Sequence, residues 1–132
     1  MTLTEELDKW FSIYIRCRFA EPHTGTVICY TCTERYHWSQ VDCGHWQRRG
    51  HWTIRWNEDN ARPQCTSCNR EFSGQDEIFE EELRAELGDK RVDALLSTRG
   101  DFADLTDEGM REKIAYYKST VKKLYAYNTV VS

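Results

Sequence analysis

Two short cysteine pairs carry the clearest chemistry in this 132-residue chain. Cys29 and Cys32 form one CxxC motif, and Cys65 and Cys68 form a second, with residues 33–64 between them. Structural zinc takes four ligands in a tetrahedron, and two CxxC turns supply four thiolates. Because such a site has no open coordination position, we predict a structural zinc ion rather than a catalytic one. The alternative is a set of buried free thiols.

Three side chains placed around these cysteines are suited to hydrolytic chemistry. His45 lies in the sequence DCGHW, Asn60 precedes Cys65 by five residues, and Asn69 directly follows Cys68. This placement resembles that of HNH, or ββα-metal, nucleases. In that family a His ends the first strand of a hairpin, an Asn lies near the start of the second element, and a His or Asn after the second CxxC binds a catalytic metal.

The resemblance implies a role for each of these residues in phosphodiester hydrolysis. A His with an ordinary pKa of about 6.5 can accept a proton from water at neutral pH, so His45 is the predicted general base. Asn60 would orient His45 or tie the loop to the strand, and Asn69 would offer an amide oxygen to magnesium or manganese. The predicted DNA-binding residues are Arg48, Arg49, His51 and Arg55.

One position departs from the HNH pattern. Members often carry an acid or a second His directly before the general base as a metal ligand, but here that residue is Gly44. Asp42 lies two residues earlier, and strand alternation places both on one face, about 6–7 Å apart. We predict that Asp42 supplies the missing carboxylate to the catalytic metal. The alternative is that His45 is itself a metal ligand and His51 takes another role.

Hydrophobic periodicity predicts the elements that position these residues. Residues 3–16 and 75–87 have helical spacing, residues 26–68 suggest hairpins and knuckles, and Thr106 is a good N-cap for a last helix. That last helix has a heptad-like apolar stripe, which we expect to be core packing, with a dimer seam as the alternative. The stripe consists of Met110, Ile114, Tyr117, Val121 and Leu124.

Length and composition favour a single domain and argue against a membrane protein. We divide it into a helix and loop at 1–25, a nuclease core at 26–75 and a helical part at 76–132. No run approaches the roughly 18 apolar residues of a membrane span, and the acidic N-terminus is not a secretory signal. We therefore expect a cytoplasmic protein with reduced thiols. Cys17 and Cys43 lack CxxC partners and are predicted to pack.

The central motif is closer still to one family, the NinG/Rap recombination proteins of lambdoid phages. The resemblance extends from about residue 5 to residue 125. The matching residues are Gly44, His45, Trp46, Arg48, His51, Arg55, Trp56, Asp59, Asn60, Gln64, Cys65, Cys68, Asn69 and Gly74. It implies a structure-specific endonuclease that cuts branched DNA such as Holliday junctions and D-loops. It also implies a phage or prophage protein in a bacterial host, with a homodimer where two strands are cut symmetrically.

The predicted fold class is α+β, with a small zinc-stabilised ββα-metal core (His-Me finger, treble-clef-like). An N-terminal helix and two or three C-terminal helices flank this core. The net charge of −4 does not favour DNA binding. However, residues 73–108 hold most of the acidic residues and residues 109–132 are basic, so part of the surface could still face a polyanion. Two alternatives are a zinc-stapled DNA- or protein-binding adaptor without activity, and an HNH nuclease that acts on plain duplex DNA or RNA.

Overall fold

The computed structural model describes residues 1–99 and 105–128. Its regular elements are short strands and longer helices, so the predicted mixture of helices and small sheets is confirmed. The helices are α1 Leu3–Arg18, α2 Asp76–Leu87, α3 Asp89–Thr98 and α4 Asp107–Lys122. The strands are β1 Thr26–Ile28, β2 Arg35–His37, β3 Asp42–His45 and β4 Ala61–Gln64. The sequence also predicts a connector at residues 99–104, and this segment, except for Arg99, lies outside the described residues.

Short helical turns complete the described chain. They span Trp38–Gln40, Glu58–Asn60, Ser67–Glu71 and Ala126–Asn128. The turn Ser67–Glu71 begins within the second cysteine pair and contains Cys68, and it therefore sets the direction of Asn69. In the described part of the chain, no helix is long and apolar enough to cross a membrane.

Helices α1 and α4 pack together although they come from opposite ends of the chain. Thr2 and Thr106 cap them, each accepting a hydrogen bond from a backbone N–H three residues on. Four residues of the stripe, Met110, Ile114, Tyr117 and Val121, are buried against apolar residues of α1, so the core-packing interpretation is confirmed for them. Leu124 follows α4 and is partly buried against a second cluster that includes Cys17 and Ala126. The buried α1 residues are Leu7, Trp10, Phe11, Tyr14 and Ile15. The homodimer stays a prediction, without a surface assigned to it.

Two antiparallel hairpins lie between α1 and α2. The β1–β2 turn contains the first cysteine pair, and the second pair follows β4. In the β3–β4 hairpin, Asp42 lies opposite Gln64 and His45 lies opposite Ala61. Helix α1 contacts both of these strands. The hairpin therefore rests on a rigid helical layer.

Residues 46–60, which connect β3 to β4, are held by two cores. Trp46 and Ile54 are buried with apolar residues of α2 and α3, whereas Trp56 is buried in the α1–α4 core. Each buried aromatic ring stabilises the structure by roughly 1.5–3 kcal/mol through its transfer from water. These anchors fix the backbone on both sides of the Arg48–Arg49 segment.

Candidate functional site

The four predicted zinc ligands form one cluster. Cys29, Cys32, Cys65 and Cys68 have sulfurs that all lie within 4.8 Å of one another, and Cys32 Sγ is 3.7 Å from Cys65 Sγ. Zinc–sulfur bonds of about 2.3 Å in a tetrahedron place the sulfurs about 3.8 Å apart, which agrees with this separation. The cluster can therefore hold structural zinc, as predicted.

Hydrogen bonds within the cluster favour the thiolate form of Cys29. Burial acts to raise the pKa of Cys29, but backbone N–H groups of Cys65, Cys32 and Thr31 outweigh it and lower the pKa to about 6. Burial and the neighbouring sulfurs raise the pKa of Cys32 to about 12. Four thiolates at one point repel each other, and a bound divalent cation would offset that repulsion.

The two remaining cysteines pack among other side chains, as predicted. Cys17 is buried with Ala20, Val27 and Val41, and Cys43 packs against the α1–α4 core. Burial raises the pKa of both thiols to about 12, so they stay protonated at neutral pH.

A cavity of about 620 Å³ lies between α1, β3 and the turn that contains Asn69. Its lining includes His45, Asp42 and Asn69, which are three of the predicted catalytic and metal-binding residues. Arg48 and Arg49 also line it, and both side chains are exposed. The structure thus brings together in one cavity residues that lie up to 27 positions apart in the sequence.

The imidazole of His45 is held in one tautomer. Its Nε2 lies 2.9 Å from the carbonyl oxygen of Arg55, which can only accept, so Nε2 carries the hydrogen and donates it. Nδ1 is then the basic nitrogen of the neutral ring. Burial lowers the pKa of His45 below its usual value, and Phe11 lies against the ring with 6.0 Å between centroids. The site therefore contains a neutral base.

The carboxylate of Asp42 and the amide of Asn69 are in direct contact. Asn69 Nδ2 donates to Asp42 Oδ2 over 3.0 Å, and Asn69 Oδ1 accepts no hydrogen bond from a described residue. Arg70 binds both oxygens of Asp42 at 2.9 Å each. Because the Arg70 side chain is 69% exposed, this ion pair contributes little stability, about 0–1 kcal/mol.

Asn60 ties the loop to the strand, which is the second of the two roles considered above. Its Oδ1 accepts from the Gln47 N–H at 2.8 Å, while its Nδ2 donates to the carbonyls of Gln47 and Ile54. The side chain is fully buried and forms no hydrogen bond with His45 among these contacts. Asn60 therefore fixes the loop backbone that carries Arg48.

Two of the predicted DNA-binding residues do not line the cavity. Arg55 donates to both oxygens of Asp8, and its side chain is only 14% exposed. His51 Nδ1 lies 3.1 Å from the carbonyl of Arg99, near the end of α3. Their roles in DNA binding stay predictions, while the contact with Asp8 attaches the loop to α1.

Sequence reasoning missed the α1 wall of the cavity. Asp8, Ser12 and Arg16 all line it, as does Arg70. The three α1 residues are four positions apart and therefore share one helix face. Their spacing of four residues along a predicted helix was a signal available in the sequence.

The structure gives a physical reason for Gly44. A Cβ atom there would overlap Oε1 of Gln64, a fully buried side chain that donates to Thr31 Oγ1 and the Gly74 carbonyl. A ligand at position 44 would therefore point into Gln64, and Gly44 is absent from the cavity lining. Asp42 lines the cavity and Gly44 does not, so Asp42 is the one of these two positions that could supply a metal ligand.

Replacing Gly44 with Ala is expected to destabilise the protein by about 2 kcal/mol, because the added methyl group must displace Gln64. Thermal unfolding checks this result. Gly50→Ala is the matched control, since a Cβ there meets nothing within 4 Å, and it should leave the melting temperature nearly unchanged. Equal melting temperatures for the two variants would contradict the account.

A family model for the bacteriophage lambda NinG protein matches residues 2–126. The chain belongs to this family. The match spans α1, both hairpins, the cysteine cluster and α4, so the family resemblance seen in the sequence is confirmed. No curated protein and no solved structure matches the chain.

Proposed function

We propose that this member of the NinG family is a metal-dependent endonuclease that cleaves branched DNA, such as Holliday junctions and D-loops, by phosphodiester hydrolysis. The observation that carries the proposal is the shared cavity of His45, Asp42 and Asn69. This cavity combines a neutral base, His45, with oxygen atoms of Asp42 and Asn69, and the exposed side chains of Arg48 and Arg49 also line it. These are the groups that hydrolysis of a phosphodiester requires.

In this proposal the β3–β4 hairpin and the following turn are a ββα-metal core. His45 is the last residue of β3, and Asn69 lies in the turn Ser67–Glu71 after the second cysteine pair. Structural zinc would brace the end of the hairpin where β4 leads into Cys65, and His45 lies at the other end. The order of elements supports the assignment, and the direct contact between Asp42 and Asn69 supports Asp42 as the replacement for a ligand at Gly44.

Each residue then has a defined task. His45 Nδ1 takes a proton from the attacking water, while the Arg55 carbonyl holds the ring through Nε2. Arg48 and Arg49 bind phosphate oxygens, for which the planar guanidinium is suited. Asn60 keeps the loop that carries both arginines in place.

Asp42 and Asn69 would hold magnesium or manganese. A carboxylate and an amide oxygen suit these hard cations, which keep several water or phosphate ligands besides. When bound, the cation neutralises charge on the phosphate during hydrolysis. Arg70 must release Asp42 for this to happen, and the exposed ion pair costs little to open.

A substrate panel tests the proposal. The protein is incubated with labelled four-way junction, flap, linear duplex and RNA, each with and without added Mg²⁺. We expect cleavage of the branched substrates only where Mg²⁺ is added. Junction binding without metal-dependent cleavage would favour the adaptor, and equal cleavage of linear duplex or RNA would assign another target.

A further inference from the structure

Arg16 is fixed on α1 by contacts that leave one side of its guanidinium open. Nε donates to the backbone carbonyl and the Oγ of Ser12, at 3.2 and 3.1 Å, and Nη1 donates to the Trp38 carbonyl at 3.3 Å. The guanidinium carbon lies 5.4 Å from the centre of the Trp38 ring. Nη2 has no hydrogen-bond partner among the described residues. Hydrogen bonds therefore hold the Arg16 side chain in place, and its Nη2 group can still donate to a ligand.

Arg16 also lacks a carboxylate partner. Among residues 1–99 and 105–128, four arginines form no ion pair within 4.0 Å: Arg16, Arg35, Arg48 and Arg99. The other three are exposed, whereas Arg16 is half-buried. A buried cation without an anion is costly, so this position favours an anionic ligand.

Arg16 lines the cavity of His45, Asp42 and Asn69. In the same cavity, Asp8 is ion-paired with Arg55 and Asp42 with Arg70, and neither acid lies within 4.0 Å of the Arg16 guanidinium, although the charge of Asp42 acts on it. Arg48 and Arg49 are exposed, and Arg49 is ion-paired with Asp8, whereas three hydrogen bonds hold Arg16 on α1. The cavity thus has one preorganised cationic wall.

We propose that Arg16 is the fixed anion receptor of this cavity and that its ligand is a backbone phosphate of the nucleic acid, bound beside the Asp42–Asn69 pair. The planar guanidinium can donate two parallel hydrogen bonds to two phosphate oxygens. This inference rests on the proposed nuclease function and deepens it. It adds a phosphate-binding residue from outside the hairpin and its loop.

The test compares Arg16→Met and Arg16→Lys with Arg18→Met. Arg18 lies on the same helix but is exposed and paired with Glu58, and it lines a different cavity, so it is a matched control. Junction binding is measured by fluorescence anisotropy in buffer without added Mg²⁺, which leaves the structural zinc in place, and cleavage is measured in Mg²⁺. Arg16→Met is expected to raise Kd about 10-fold and to lower kcat about 100-fold. Arg16→Lys should fall between it and the wild type, while Arg18→Met stays within about two-fold.

Binding without added divalent metal separates this inference from the proposed function. If the wild type binds the junction but cuts none of the substrates, the nuclease proposal fails, yet a 10-fold loss of binding in Arg16→Met still supports the anion receptor. An unchanged Kd in both Arg16 variants overturns the receptor, whatever the wild type cleaves. If Arg16→Met loses its zinc or its cooperative melting, Arg16→Lys, which keeps a long stem against Trp38, decides the outcome.

Discussion

Replacing His45 with Ala is expected to lower kcat for junction cleavage by about 10²–10⁴-fold, the usual contribution of a general base. The zinc content and the fold should persist, because the lost hydrogen bond joins His45 only to the Arg55 carbonyl. Single-turnover cleavage in Mg²⁺ measures the effect. His23→Ala is the control, since His23 is exposed, lies outside the cavity lining and has no predicted role in DNA binding, so this variant should cut within a few-fold of wild type. Wild-type cleavage by His45→Ala would refute the mechanism.

The same residue sets the expected pH dependence. Burial lowers the pKa of His45, so the neutral, active form predominates at neutral pH. The cleavage rate should be flat above about pH 7 and fall as the pH drops through that lowered pKa, below the ordinary value of about 6.5. His23→Ala should keep this acidic limb. A limb that persists in the residual activity of His45→Ala would assign it to another group.

Removing the zinc site is expected to have the largest effect on stability. A structural zinc ion contributes an apparent 10–16 kcal/mol or so at neutral pH, which equals or exceeds the net stability of a typical small domain. Cys68→Ser, or treatment with a strong chelator, should therefore abolish cooperative melting of the hairpin region. Mass spectrometry measures the zinc content of the variant, and circular dichroism measures its thermal unfolding.

Cys17→Ala provides the control for this experiment. Cys17 is buried but lies outside the sulfur cluster, so its variant should keep one zinc ion per chain and lose only the stability of a small packing defect. If Cys68→Ser retained zinc and melted like the wild type, the four-cysteine site would be wrong.

Zinc and the cavity are coupled through the chain. Cys68 directly precedes Asn69 and Arg70, which contact Asp42 from the turn that the zinc site anchors. Gln64 reinforces the link by donating to both Thr31, beside the first cysteine pair, and the Gly74 carbonyl. Loss of zinc would therefore displace the oxygen donors of the cavity as well as the hairpins.

Local patterns were sufficient for several features. The two CxxC motifs indicated a four-sulfur site because each pair of ligands is set by one tight turn. Thr106 and the apolar stripe of α4 indicated the last helix, since capping and periodicity depend only on neighbouring residues. The position of His45 at the end of a strand followed from its place in the family motif.

By itself, the sequence determined the cysteine cluster, the helices, the family and His45 as the candidate base. Only the tertiary structure decided that Asp42 meets Asn69, that Asn60 holds the loop, and that Arg55 binds Asp8 without itself lining the cavity. It also added Arg16 to the cavity. These contacts depend on the register of β3 against β4 and on the packing of α1 across the hairpin, and both are long-range choices that no local spacing encodes.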